Sequence, residues 1–356
     1  MPHRPPDLLA SAGFARTVFH DRHPTLIDRV AAGHPYTGDQ RRRLRALLDE
    51  SLTGRIGELP TDAADRDRWA AGGHLGRPWA DAPFLWAESY FYRRILDAVD
   101  HFRPGPWHGV DPFAPMKDAE LAELGPLSLV DRGPTAEVFA TLVRAAVFGN
   151  RADLSFRMQV GDVHAGEAPD ELLVDDTARL WELVADPGTR SVGIVTDNAG
   201  RELAADLTLA AWLRDTGLVA EVTLHVKPFP WYVSDATPSD VDALRRRVPA
   251  DVAVRTHEVW CSPVTFADLP SGLLDAHQLV VVKGDLNYRR LVGDLAWDPT
   301  TPVRDAAPDL GVPLVALRTC KSEVVVGLDP PTVTRLDAAE PGWRISGRHG
   351  MVQAVA

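Results

Sequence analysis

Over residues 24–186 the apolar positions recur at helical intervals. In residues 83–99, Phe84, Trp86, Ala87, Phe91, Ile95 and Val99 return at steps of roughly three and four, with Arg93, Arg94 and Asp97 between them. That spacing predicts an amphipathic helix. Residues 41–52 and 135–148 are patterned in the same way, and Pro and Gly clusters separate the segments. No strand-type alternation competes, so residues 1–186 are expected to form an N-terminal helical domain.

Beyond residue 186 the texture changes to short β-branched runs that end in polar residues: SVGIV (191–195), EVTLHVK (221–227), LVVVK (279–283) and PLVAL (313–317). Between the first two lies RELAADLTLAAWLRDTG, in which Leu203, Leu207, Ala210 and Ala211 form one apolar face and Gly217 is placed to stop a helix. This is a β-α-β unit. Apolar strands joined by helical crossovers predict an α/β fold for residues 187–356, with a mostly parallel sheet and ligands bound beyond the carboxyl ends of the strands. The last segment, WRISGRHGMVQAV, is expected to be a terminal hairpin around Gly347 to Gly350 at an edge of the sheet.

Composition narrows the functional classes. The chain has 356 residues, 45% of them hydrophobic, and its net charge of −12 comes without a basic block, which argues against nucleic acid as a partner. Two cysteines, Cys261 and Cys320, without C-x-x-C spacing fit a reducing cytoplasm. No signal peptide or membrane-length apolar run is evident, so a soluble protein without a membrane or an obligate protein partner is expected.

The chemistry concentrates where the predicted strands end. Asp197 and Asn198 follow the first strand and offer oxygen ligands to a hard cation such as Mg²⁺ or Mn²⁺, or else cap the next helix. Asp235, in a loop stiffened by Pro228 and Pro230, could complete such a site or cap a helix that follows. The third strand leads into Gly284, Asp285, Leu286, Asn287, Tyr288 and Arg289, read as a glycine-started turn able to wrap a phosphate. The fourth ends in Arg318, Thr319, Cys320 and Lys321, where Lys321 could clamp a phosphoryl group.

The stretches TDNAGRE, HVKPFPWYVSDAT, KGDLNYRRL and RTCK, in this order, resemble the damage-control phosphatases once catalogued as a domain of unknown function. The R-T-x-K of their sugar-phosphate branch matches Arg318, Thr319, Cys320 and Lys321. WAESYFYRRIL (86–96) and FGNRADLS (148–155) extend the likeness upstream. The resemblance implies a helical N-terminal domain on an α/β/α sandwich with a Rossmann-like sheet. It implies a divalent cation (Mn²⁺, Co²⁺, Ni²⁺ or Mg²⁺) on Asp197, Asn198 and Asp235, which with Lys321 form the catalytic set. Asp285, Leu286, Asn287, Tyr288, Arg289 and Arg318 would bind substrate, with Glu202 beside the pocket. Glu88, Arg93, Asn150 and Asp153 would line the cleft from the helical side. His20, His23, His225 and His257 show no paired spacing and read as structural.

The reaction expected is hydrolysis of small phosphorylated metabolites, sugar phosphates, in a house-cleaning role. Three other readings stand beside it. An aspartyl-phosphate on Asp197 lacks the D-x-D pair usual for that chemistry. Carboxyl methyl transfer from S-adenosylmethionine, an activity ascribed to eukaryotic relatives, lacks a glycine-rich turn after the first strand. A non-catalytic sugar-phosphate-binding protein would have no reason to keep a metal-ligand set.

Overall fold

The computed structural model describes residues 4–124, 133–149, 171–248 and 250–355. The chain opens with α1 (Gly13–Thr17), a π-helical turn over Val18–Arg22, α2 (His23–Gly33), α3 (Gly38–Thr53), α4 (Arg66–Ala70), α5 (Phe84–Ala98) and α6 (Ala114–Glu123). A capping box starts α3, where Thr37 and Gln40 satisfy each other's backbone amides. Phe91 and Ile95 of α5 are fully buried, as their spacing predicts, within a core that includes Trp69, Trp79, Trp86 and Tyr90.

The α/β part contains α7 (Ala136–Phe148), β1 (Glu171–Asp175), α8 (Thr177–Ala185), β2 (Ser191–Val195), α9 (Gly200–Asp215), β3 (Glu221–Val226) and α10 (Pro238–Arg245). It continues through β4 (Ala253–Thr256), β5 (Leu279–Lys283), α11 (Gly284–Val292), α12 (Val303–Ala306), β6 (Leu314–Thr319), α13 (Pro330–Ala339) and β7 (His349–Val355). The sheet order is β1-β7-β6-β5-β2-β3-β4. Only the β6–β7 pair is antiparallel among the pairings of these strands.

Alternation along the central strands divides the core into two faces. Val192, Ile194, Leu279, Val281, Val315 and Leu317 meet α7, α8 and α9 on one side. Val195, Val280, Val282, Leu314 and Ala316 meet Tyr288, Leu291 and Val292 of α11 on the other. The chain order reverses between β2 and β5, and the crevice this opens at their carboxyl ends is where an open α/β sheet binds ligands. Trp231, Cys261 and Leu286 from the α/β part are buried in the helical core, so the loop after β3 and the start of α11 are packed against the N-terminal helices.

Several expectations are corrected. Glu171–Asp175, inside the stretch read as helical, is a strand paired in parallel with β7. The edge strand β4 was not foreseen. The C-terminal segment is no hairpin: Trp343–Ile345 forms a single 3₁₀ turn, and β7 inserts between β1 and β6 rather than lying at an edge. Residues 284–289 start a helix rather than form a turn. Arg318 and Thr319 belong to β6 itself. Among the described residues no helix is long and apolar enough to cross a membrane.

Candidate functional site

Backbone pairing brings two strand ends together. Ala236 N donates to Asp197 O at 2.8 Å and Ala199 N to Ser234 O at 2.6 Å, so the turn after β2 and the loop after β3 are joined. Asp197 and Asp235 are thereby buried side by side. Lys227 Nζ lies 3.5 Å from Asp235 Oδ2 and 3.9 Å from Asp197 Oδ1, and donates to Thr196 O at 2.8 Å. Asp197 Oδ1 and Asp235 Oδ2 are buried without a hydrogen-bond partner. Burial raises both carboxyl pKa values, that of Asp197 well above the usual range, against the pull of Lys227. Neither residue caps a helix: the cap of α9 is Ala199, and the cap of α10 is Thr237, whose amide donates to Asp240 at 2.9 Å.

Asn198 is fixed by both of its polar atoms. Its Nδ2 donates to Glu202 Oε2 at 2.9 Å and to Asp197 Oδ2 at 3.1 Å, while Ser234 Oγ donates to its Oδ1. Glu202 is held in turn by Lys283, 3.4 Å away, and Lys283 lies 3.2 Å from Asp206. Burial pushes the Asp206 carboxyl up to about 7. Glu202 therefore orients Asn198 from beneath instead of lining the open cleft.

At the end of β5, Gly284 takes a φ of +81°, and a Cβ there would overlap the Asp197 carboxylate. Asn287 Nδ2 donates to Thr196 O at 3.0 Å and Lys283 O at 2.8 Å, which ties α11 to both strand ends. Asp285 Oδ1 accepts from Lys321 N at 3.1 Å and lies 3.3 Å from Arg318 Nη2. Arg318 is fully buried, donates to Val324 O at 2.8 Å and stacks on the Tyr288 ring at 4.1 Å. Tyr288 itself turns away, its hydroxyl donating to Gln353 at 2.8 Å. Arg289 pairs with Glu88 and Asp294, each at 2.7 Å, and burial raises the Glu88 carboxyl pKa.

A cleft of about 560 Å³ joins Asp197, Asn198, Asp235, Asp285, Leu286, Arg289 and Lys321. Glu202, Asn287, Tyr288 and Arg318 lie behind its surface and do not line it. Glu88 does line it. Arg93 instead grips Asp65 at 2.7 and 2.8 Å beside a separate cavity, while Asn150 and Asp153 lie outside the described residues. The sequence reading missed Asp21, Arg22 and Arg29, which reach the cleft from the N-terminal helices. Their only signal was a polar face opposite Leu26, Ile27 and Val30, which a solvated helix shows equally.

Two carboxylates and a carboxamide suit a hard divalent cation, which prefers oxygen donors. Asp197 Oδ1 and Asp235 Oδ2 have no hydrogen-bond partner and share one ammonium, Lys227, at 3.9 and 3.5 Å, so two carboxylates face a single lysine charge and a divalent ion fits the excess. Among the described residues no group of three or more His, Cys, Asp or Glu side chains forms a ligand set. A cation here would therefore depend on Asn198 as well as the two aspartates.

The family model for the damage-control phosphatase ARMT1-like domain matches residues 18–336. Damage-control phosphatase ARMT1 of Bos taurus is 31% identical over 339 residues, covering 78% of this chain and 76% of that protein. The Danio rerio protein of the same name is 30% identical over 332 residues, covering 77% and 74%. A DUF89 family protein from Pyrococcus horikoshii, known from a crystal structure, superposes with a TM-score of 0.50 at 16% identity over 90% of this chain and 93% of its own, a likeness of fold.

Proposed function

The chain belongs to the ARMT1-like damage-control phosphatases, and we propose that it hydrolyses phosphate monoesters of small metabolites, sugar phosphates among them, with a divalent cation held by Asp197, Asn198 and Asp235. The observation that carries this reading is a pair of buried carboxylates at the sheet's switch point, Asp197 and Asp235, which share the single charge of Lys227 and line the same cleft as Lys321. When bound, the cation supplies charge neutralisation and Lewis acidity at the phosphate.

The chain's own residues do the rest by position. Lys321 has its backbone amide fixed on Asp285 and its side chain in the cleft, so its ammonium can take phosphate oxygens as their charge shifts in the transition state. Asn198 cannot rotate without losing its bonds to Glu202 and Ser234, which keeps its Oδ1 beside the aspartates. Arg289 already pairs with two carboxylates and serves the wall of the cleft more than the phosphate. The turn after β2 is filled by these carboxylates, an arrangement that favours a hydrolase over a methyltransferase with its glycine-rich cofactor turn.

Phosphate release from a panel of sugar monophosphates with Mn²⁺, Co²⁺, Ni²⁺ or Mg²⁺ tests the reading. Chelator should abolish release, and Asp197→Asn and Asp235→Asn should each reduce it at least about a hundredfold while circular dichroism stays native. Full turnover in both variants at limiting Mn²⁺ would remove the cation from this site.

A further inference from the structure

Most charges around the cleft are already matched inside the protein. Asp285 pairs with Arg318, Glu88 and Asp294 share Arg289, and Asp197 and Asp235 share Lys227. What remains facing the cleft is Lys321 at the strand ends and Asp21, Arg22 and Arg29 on the N-terminal helices. Asp21, Arg22 and Arg29 are exposed, and no ion pair among the described residues engages any of them. His23 lies between them but is buried, and burial lowers its pKa to about 3, so it adds no positive charge at neutral pH.

Both arginines are carried by anchored structure. Leu26, Ile27 and Val30 bury the opposite face of α2, and the Arg22 guanidinium sits 4.8 Å from the centre of the Phe14 ring. A single phosphate held by a cation and Lys321 leaves Arg22 and Arg29 without a counterpart. Guanidinium groups in a concave, solvent-accessible wall attract anions and pair with phosphate or carboxylate through two parallel hydrogen bonds.

We propose that the substrate carries two anionic groups, with the phosphate to be released at the strand ends and a second phosphate or carboxylate at Arg22 and Arg29. This rests on the phosphatase reading and deepens it by naming the substrate class. Asp21, which lines the same cleft, is an acceptor for hydroxyl groups, which fits a polyol between the anions.

The experiment compares a hexose 1-phosphate, a hexose 1,6-bisphosphate and a phosphorylated sugar acid as substrates with Mn²⁺. Their phosphonate analogues are measured alongside as ligands by calorimetry. The compounds with a second anion should be favoured by about tenfold or more in kcat/KM and in affinity. That ratio should fall to about one in the Arg22→Gln/Arg29→Gln double variant, and the Arg22→Lys/Arg29→Lys variant should keep part of it. The ranking of bisphosphate against sugar acid identifies the kind of second anion. A wild-type ratio near one for both compounds overturns the proposal. So does a ratio that persists in the glutamine variant with a native circular dichroism spectrum. If no compound is hydrolysed but the binding preference exists and needs the arginines, the phosphatase reading fails and the anion site stands.

Discussion

His23 stacks flat on Phe91 with ring centres 3.9 Å apart, and neither of its nitrogens has a hydrogen-bond partner. The unfolded chain takes up a proton near pH 6.5, whereas burial holds the native ring neutral down to about 3. Unfolding therefore binds a proton in this window, and stability falls as pH falls below 6.5. By pH 5 this residue alone should cost about 2 kcal/mol. Urea midpoints measured from pH 7 to pH 4.5 should be less pH-dependent in His23→Phe, and an unchanged slope would mean that the native ring is protonated. The R-T-x-K motif also divides at this scale, since Arg318 is buried behind Asp285 while Lys321 faces the cleft. Arg318→Met should lower stability by about 3 kcal/mol by stranding the Asp285 carboxylate. Lys321→Met should leave the melting temperature nearly unchanged and reduce kcat/KM by roughly 2 to 4 kcal/mol. The same loss of stability in both variants would contradict this division.

The junction of β5 and α11 is where local conformation and the site meet. Gly284→Ala would place a methyl group against the Asp197 carboxylate at a positive φ, a strain of roughly 1 to 2 kcal/mol before the overlap is counted. The variant should melt lower and lose most activity, and an alanine enzyme of normal turnover would show that Asp197 can move without consequence. Glycine's special role at this strand end was legible in the sequence, but the helix it begins was not. Residues 285–292 alternate Asp, Asn and two Arg with Leu286, Tyr288, Leu291 and Val292, and the contacts that bury the polar Asn287 and Arg290 include distant segments, Thr196 and residues 259–264. The central strands were plain because both faces are covered and Val192–Val195, Leu279–Val282 and Leu314–Leu317 run without a polar side chain. The half-exposed β1 and β4 lack that signature, and β7 reads as an edge because His349 and Gln353 interrupt it. Asp197 and Asp235 stood out as strand-end carboxylates, while the cleft-facing positions of Arg22 and Arg29 depend on how the helical part is docked.

At the scale of the molecule, the two cores meet at the candidate cation site. Trp231 is buried in the helical core only four residues before Asp235, and Leu286 joins that core just after Asp285. Any change in the charge between Asp197 and Asp235 should therefore be felt by the whole fold. Without a cation, one lysine faces two buried carboxylates whose pKa values are raised, so the native state holds protons that the unfolded chain releases, and stability falls as pH rises through that range. A cation that binds only the folded form should reverse this, adding about 2.7 kcal/mol at a hundred times its dissociation constant. Calorimetric melts at pH 7.5 should rise with added Mn²⁺ and return to the starting value with chelator. Asp235→Asn should lose the Mn²⁺ response, yet melt higher than the metal-free wild type, because Lys227 then faces a single buried carboxylate. An Mn²⁺-independent melting temperature in the wild type, or a metal-free Asp235→Asn protein that melts lower, would show that the carboxylate pair is balanced by Lys227 alone.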